Sequence, residues 1–163
     1  MKKNDGAPVF NSPFELGLRM VYLLCALRPY GADLQKLVLL DYAIVYSGDL
    51  NGPGSLHTPI PYRGNELLSR RELIEQGLYL MSTRGLVDAR MDSDGITYVA
   101  GQAALSLVGS LTSKYFLDLE KRCEWAANTF SNLNSIDLTV VFAEGGHRWG
   151  AEIEAMRPER WVM

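Results

Sequence analysis

The two histidines of the chain are the first residues to consider for metal binding or catalysis. His57 lies in the stretch SGDLNGPGSLHTPIPYR, residues 47–63, which also holds Asp49 and follows Asp41. Zinc sites place their ligands at short fixed spacings and support them with further hydrogen bonds. His57 has no HxH or HxxxH spacing and no cysteine nearby. We therefore predict no metal site.

His147 could form a catalytic dyad with Glu144 or Glu152, and a small hydrolase using His57 or His147 is one alternative function. A hydrolase needs an activated nucleophile, yet the sequence has no GxSxG motif. It also has no phosphate loop and no GxGxxG motif after a strand, so no cofactor is predicted. We predict no catalytic and no cofactor-binding residues, and therefore no enzyme activity.

Composition and charge disfavour two further classes of protein, nucleic-acid binders and membrane proteins. The 163 residues carry a net charge of −3, which disfavours an autonomous nucleic-acid binder, because such proteins present a basic face. Cys25 and Cys123 each lie in an apolar helical pattern and are predicted to be buried free thiols. The most apolar segment, RMVYLLCAL, is too short to span a bilayer, and no signal peptide is visible. The predicted location is the cytoplasm, with no membrane contact.

Two apolar helices are predicted near the N-terminus. In NSPFELGLRMVYLLCALRPYG, Ser12 fits the N-cap and Pro13 the first helical position, and Glu15, three residues after Ser12, completes a capping box. Arg28–Pro29 ends this helix, because proline cannot continue it. The second helix begins at about Asp33 and is apolar over most of its circumference, which is typical of a buried central helix.

A third helix and a β-hairpin follow the stretch at residues 47–63. NELLSRRELIEQGLYLMSTRGLV predicts a helix from about Glu66 to Arg84, with Gly85 as its left-handed cap. LVDARM and ITYVA flank DSDG, the pattern of a hairpin. The predicted fold class is mainly α: a winged helix-turn-helix-like domain whose wing is the hairpin at residues 86–100.

The C-terminal part reads as helical. Residues Gln102 to about Ser131 have near-heptad apolar spacing, which predicts one long helix of about 45 Å. The tail contains β-branched residues, but Ser135 and Asp137 suit a helix start, and a helix is favoured. We therefore divide the chain into a winged-helix-like domain, 1–101, and a long helix with a helical tail, 102–163, that packs on it and on partners.

The charge of the predicted recognition helix and wing argues against DNA binding. Between Gly64 and Ala100 there are four arginines and six acids, and the wing tip is acidic. DNA affinity depends mainly on neutralising phosphates, so a winged helix reused for protein interaction is favoured. Possible phosphate contacts are Arg70, Arg71 and Arg84.

Several motifs carry a resemblance to a known family. FNSPFELGLRMVYLL, LVLLDYAIVYSGDLNGPGSLHTPIPYR and ELLSRRELIEQGLYLMSTRGLV resemble the middle components of ABC-three-component systems. The resemblance runs from about Phe10 to Phe130. It implies a non-catalytic subunit joining an SMC/Rad50-like ABC ATPase to an effector, expected to be a nuclease, as in Lamassu-type defence against phages and plasmids. Double-stranded DNA would then be contacted only through the complex. The alternative is a stand-alone winged-helix transcription regulator.

The stretch at residues 47–63 admits three interpretations: an active-site loop, a disordered linker or a docking surface. His57 has no evident catalytic partner, and Leu56, Ile60 and Tyr62 are unlike a linker. An ordered docking loop is therefore favoured. Interface energy concentrates in aromatic and arginine anchors, so the predicted partner-binding residues are Leu56, His57, Tyr62, Arg63, Arg70, Arg71, Tyr115 and Trp125.

A second set of residues is predicted to be structural rather than functional. Asp41 and Tyr42 lie on the buried second helix, where Asp41 could accept amide hydrogen bonds and Tyr42 could support the loop. Ser47 and Asp49, at the start of the loop, complete this set.

Overall fold

The structure is a computed structural model of the chain and describes residues 12–50, 52–54, 56 and 63–145. Within these residues the chain forms six α-helices, one short 3₁₀ helix and a two-stranded antiparallel sheet. The prediction of a mainly α fold with a β-hairpin is confirmed. In chain order the elements are α1 (Pro13–Leu27), α2 (Leu34–Val45), the 3₁₀ helix (Ser47–Leu50), α3 (Arg63–Ser82), β1 (Val87–Asp92), β2 (Gly95–Ala100), α4 (Ala104–Ser110), α5 (Lys114–Phe130) and α6 (Ser135–Gly145).

The first two helices begin at side-chain caps. The Ser12 hydroxyl accepts a hydrogen bond of 3.1 Å from the Glu15 backbone N–H, and Pro13 occupies the first helical position. The Asp33 carboxylate accepts one of 2.8 Å from the Lys36 N–H. Each cap satisfies a backbone donor that has no partner inside its helix. The predicted starts of both helices are confirmed.

These two helices form the centre of the molecule. All residues from Glu15 to Leu24 of α1 and from Lys36 to Val45 of α2 are buried. α1 packs against α3 and α5, while α2 packs against α3, α5 and α6. The buried central position predicted for the second helix is confirmed. Residues on both sides of Gly101 belong to the same core, and the domain boundary placed there stays a prediction.

α1 and α3 approach each other closely at a pair of glycines. A Cβ added at Gly77 would lie 2.6 Å from the Pro13 carbonyl oxygen and 2.7 Å from the Gly17 nitrogen. A Cβ added at Gly17 would lie 2.8 Å from the Gly77 carbonyl oxygen. The two backbones therefore touch without intervening side chains, which only glycine permits.

The hairpin follows α3 through a left-handed glycine. Gly85 has φ +72°, as predicted for a helix cap. β1 and β2 pair in register from Val87 opposite Ala100 to Asp92 opposite Gly95, and the Asp92 carboxylate accepts a hydrogen bond from the Asp94 N–H across the turn. Ala32, between α1 and α2, forms a β-bridge with Tyr98 on the free edge of β2.

The prediction of one long helix from Gln102 to Ser131 is wrong. α4 ends at Ser110, Leu111 is extended, and α5 begins after Ser113, which has the extended backbone of an N-cap. The segment GSLTS, residues 109–113, has glycine, serine and threonine, which are weaker helix formers than the residues on either side. The favoured helix in the tail is confirmed as α6, and residues 146–163 lie outside the described residues.

The glycine contact between α1 and α3 generates a matched pair of substitutions. Gly77→Ala should lower the free energy of unfolding by about 1–3 kcal/mol, because the new methyl group overlaps backbone atoms. Gly109→Ala, in α4, has no atom within 4 Å of the added Cβ and should raise the free energy of unfolding by about 0.5–1 kcal/mol. Urea unfolding of both variants measures the difference, and equal stabilities would contradict the close crossing.

Candidate functional site

A buried ionic cluster lies where α1, α2 and α3 meet. Asp41 of α2 is fully buried and accepts hydrogen bonds from two arginines. Arg19 of α1 binds both carboxylate oxygens, with Nε to Oδ1 at 2.8 Å and Nη2 to Oδ2 at 3.1 Å. Arg70 of α3 places Nη1 2.8 Å from Oδ2. Asp41 was expected to accept amide hydrogen bonds, and its donors in the structure are instead the guanidinium groups of two arginines.

The cluster extends to α5 through Tyr115. The Tyr115 hydroxyl lies beside Arg19 and Glu15, and its interactions with them favour the charged forms of both. Glu15 is itself buried. Charged groups in the interior are paired, since an uncompensated charge there is costly.

The ionisation of the cluster follows from these contacts. Burial alone would raise the pKa of Asp41, but the charges and hydrogen bonds of Arg19 and Arg70 outweigh burial and lower the pKa to about 2. Burial raises the pKa of Glu15 above its usual range, although Arg19 and Tyr115 act in the opposite direction. Burial also raises the pKa of Tyr115 to about 12. Asp41 is thus a permanent anion at neutral pH.

A second polar connection joins α2 to its neighbours. Arg71 of α3 donates a hydrogen bond of 3.1 Å to the side-chain oxygen of Gln35, whose amide nitrogen lies 3.4 Å from the Thr139 hydroxyl of α6. Lys36, also on α2, donates to the carbonyl oxygen of Ser131 at 3.1 Å, and burial lowers its pKa. The polar residues of α2 therefore hold α3 and α6 in place.

The start of the glycine-rich loop is fixed against α2 and α5. The buried Ser47 hydroxyl is 2.6 Å from the Pro53 carbonyl oxygen and 3.2 Å from that of Gly54. Arg122 of α5 donates from Nε to the Gly54 carbonyl at 2.9 Å. The Leu56 N–H donates to the Val45 carbonyl, also at 2.9 Å. Hydrogen bonds to α2 and to α5 therefore hold the described part of the loop in place.

Trp125 lies beneath the same loop. The indole ring packs so closely on Gly52 that any Cβ at residue 52 would overlap it, and the Gly52 N–H donates to the Ser47 carbonyl at 3.0 Å. The other side of the indole meets Phe130 edge-on, with ring centroids 5.7 Å apart. Trp125 is half-buried by these intramolecular contacts, and its role in partner binding stays a prediction.

The remaining predicted residues occupy different environments. Tyr42 is buried with its ring centroid 4.8 Å from that of Tyr46, and Leu56 is half-buried against the core. Arg71 is half-buried, whereas Arg84, in the turn after α3, is exposed and donates to the Leu80 carbonyl of α3. Arg70 lies inside the ionic cluster. His57, Tyr62, His147 and Glu152 and the side chains of Asp49, Arg63 and Glu144 lie outside the described residues.

The described residues contain neither a metal-binding cluster nor a membrane-spanning helix. No group of three or more His, Cys, Asp and Glu side chains is arranged to hold a metal ion in residues 12–50, 52–54, 56 and 63–145. In the same part of the chain, no helix has the length and apolar character needed to cross a membrane.

Comparison with known families identifies the chain. The model of the family "ABC-three component (ABC-3C) system Middle Component 2", MC2, matches residues 9–152. The chain belongs to the MC2 family. No curated protein and no solved structure matches it. As an MC2 protein it is an accessory component of an ABC-three-component system, which implies partner subunits.

The MC2 match includes all elements of the structure. It covers the ionic cluster, the loop on α5 and the hairpin, and it continues through α6. The resemblance in the sequence, from about Phe10 to Phe130, is therefore confirmed at the level of middle components and extends further along the chain.

Sequence reasoning missed Arg19 and Gly52. A single arginine within the apolar run FELGLRMVYLL was a signal, since a charge on the buried face of a helix requires a counter-ion, and Asp41 in LVLLDYAIV is the matching charge. Gly52 is one of several glycines in its loop, and nothing in the sequence marks it as the residue that contacts Trp125.

Acid titration should reveal the Asp41 ion pairs. Because the folded pKa of Asp41 lies at about 2, below the ordinary value of 3.8, its charge stabilises the fold above pH 4. That stabilisation is lost as pH falls from about 4 to 2. Asp41→Asn should remove this loss and, at pH 7, lower stability by about 3–5 kcal/mol, because two buried guanidinium groups lose their anion.

The measurement for Asp41→Asn is thermal melting at a series of pH values. The expected decrease at pH 7 is about 6–20 °C for a chain of this size. Asp118→Ala removes a partly exposed carboxylate whose partner, Lys114, is in solvent, and it is the matched control, with no expected change. A parallel loss of stability for wild type and Asp41→Asn between pH 4 and 2 would contradict the role of Asp41.

The loop contact with Trp125 provides another prediction. Gly52→Ala should lift the loop from the indole and increase the hydrogen-exchange rate of the Leu56 amide, which depends on the same loop conformation. Gly54→Ala is the control, because no atom lies within 4 Å of a Cβ added there. Equal exchange at Leu56 in both variants would contradict the proposed packing.

Proposed function

We propose that this MC2 protein is a non-catalytic subunit that links an SMC/Rad50-like ABC ATPase to an effector, expected to be a nuclease. The complex would be of Lamassu type and would act in the cytoplasm against phages and plasmids. The observation that carries the proposal is the family match over residues 9–152, which includes every described element.

The arrangement of the elements supports a winged-helix module within this subunit. α1, the bridge at Ala32, α2, α3 and the hairpin follow one another in the order of a winged helix, with Ala32 adding a short third segment beside β2. α3 occupies the recognition position and the hairpin the position of the wing. Winged helices present these two elements to a partner, which fits a connecting role.

The interior of the molecule supports a binding role rather than catalysis. The charged groups with the strongest mutual contacts, Asp41, Arg19 and Arg70, are almost completely buried and bind one another. A catalytic group must reach its substrate, and these groups face the core instead. They join α1, α2 and α3 to one another, which is the requirement of a rigid connector.

The alternative function, a stand-alone winged-helix DNA-binding regulator, is favoured only by the order of the elements. Of the three arginines considered for phosphate contacts, Arg70 is 3% exposed and paired with Asp41, and Arg71 is half-buried and bound to Gln35. Arg84 alone of these three is exposed. A groove binder needs several accessible cations, so this interpretation is the weaker one.

Co-expression with the proteins encoded beside this chain tests the proposal. A tagged wild-type subunit should retain both the ATPase and the effector through gel filtration. The double variant Tyr62→Ala, Arg63→Ala, at the end of the loop, should lose one of them while melting at the wild-type temperature, because aromatic and arginine anchors dominate interfaces.

Duplex DNA distinguishes the two functions in the same preparation. The isolated subunit should bind duplex more weakly than about 10 μM at physiological salt, within the non-specific range. Submicromolar binding by the isolated subunit, together with no retention of either neighbour, would overturn the connecting role in favour of the regulator.

A further inference from the structure

The outward side of α3 carries an exposed stripe with acidic and aromatic character. Glu72, Glu75, Gln76 and Tyr79 are all exposed and recur at spacings of three, four and seven residues, which places them on one side of the helix. Tyr79 is 73% exposed. Tyr79 lies in the last turn of α3 with its ring largely in solvent, whereas tyrosines are on average intermediate in burial.

The hairpin continues this surface with apolar residues. Met91 is 80% exposed and Ile96 is 42% exposed, and the two are directly opposite each other in the ladder. Directly opposed residues share a face of the sheet, and alternation places Tyr98 on the same face. Met91 and Ile96 therefore form one apolar patch at the wing tip.

This face of the hairpin is turned toward α3. Val87 lies on the same face of β1 as Met91 and is buried in the core to which α3 contributes, and α3 packs against β1. Burial raises the pKa of the Tyr98 phenol, and the charge of Glu75 adds to this rise. The stripe on α3 and the patch at the wing tip thus lie on neighbouring parts of the surface. We call the combined surface, made of Glu72, Glu75, Tyr79, Met91 and Ile96, the α3–wing face.

The charge around the α3–wing face is negative. The two charged residues of this face are the exposed carboxylates Glu72 and Glu75 on α3. Asp88, Arg90 and Asp92 alternate with Met91 along β1 and therefore lie on the opposite face of the hairpin. Arg71 is half-buried against Gln35.

We propose that the α3–wing face binds a basic, amphipathic segment of a partner protein, whose lysines or arginines pair with the acids while its apolar side chains cover Tyr79, Met91 and Ile96. Charge complementarity selects this occupant, because a negative face attracts cations and repels anions. The exposed aromatic and apolar side chains supply the contact area on which affinity depends.

The same features disfavour nucleic acid at this face. A winged helix that reads DNA needs cations on its recognition helix to neutralise phosphates. Here the exposed stripe of α3 carries two carboxylates, Glu72 and Glu75, and no cation. This inference rests on the proposed function, because it specifies the chemistry of one of the partners that the proposed function requires.

A peptide titration tests the α3–wing face directly. The probe is a synthetic amphipathic helix of leucine and lysine, compared with its leucine and glutamate counterpart and with duplex DNA. The wild-type chain should bind the lysine peptide at least about tenfold more tightly than the double variant Glu72→Lys, Glu75→Lys or the single variant Met91→Ser does. Binding should weaken with salt.

Two variants away from this face are the matched controls. Glu124→Lys reverses an exposed charge on α5, and Ile136→Ser removes an apolar side chain that is 60% exposed on α6. Both should bind the lysine peptide as the wild type does. Equal binding by all variants, or tighter binding of duplex than of the lysine peptide, would overturn the inference.

Co-purification with the encoded neighbours separates this inference from the proposed function. Loss of one neighbour from the Glu72→Lys, Glu75→Lys variant, at an unchanged melting temperature, supports both. Retention of both neighbours by this variant overturns the inference and leaves the proposed function standing. If the wild type retains neither neighbour, the proposed function is overturned, and the peptide titration alone decides whether the α3–wing face binds basic segments.

Discussion

A buried carboxylate needs a positive charge in direct contact with it. Asp41 has two such contacts, with arginines from two other helices. This requirement brings α1 and α3 to the same side chain of α2. Arg19 then reaches Tyr115, which adds α5 to the group. Breaking either ion pair leaves an uncompensated charge in the interior, so the positions of α1, α2 and α3 depend on one another. Apolar packing alone permits many arrangements of helices; directional ion pairs permit far fewer.

Much of the architecture was predictable because it depends on local signals. The caps at Ser12 and Asp33, the left-handed Gly85 and the hairpin around DSDG are determined by residues close in sequence. The break at residues 111–113 was missed, because apolar spacing continues across it and conceals a run of weak helix formers. Periodicity indicates which side of a helix is buried and does not show whether the helix is continuous.

The candidate site was harder to predict, because its contacts join residues far apart in the chain. Arg19 and Asp41 are 22 residues apart, and Arg122 and Gly54 are 68 apart. Asp41 was correctly placed on a buried helix, yet neither of its partners could be assigned without the fold. The exposed surface was equally hard to predict. The sequence shows an acidic wing, whereas the exposure of Tyr79 and Met91 depends on how α3 packs.

The glycine contact between α1 and α3 has a consequence for association. α3 is held by the ion pair at Arg70 and by the backbone contact at Gly77, which are roughly 10 Å apart along the helix axis. A helix held at two positions can neither rotate about its axis nor slide along it. The outward residues of α3 therefore keep one orientation before any partner arrives. Little conformational entropy remains to be lost on binding, and a modest contact area can hold a partner that a mobile helix would release.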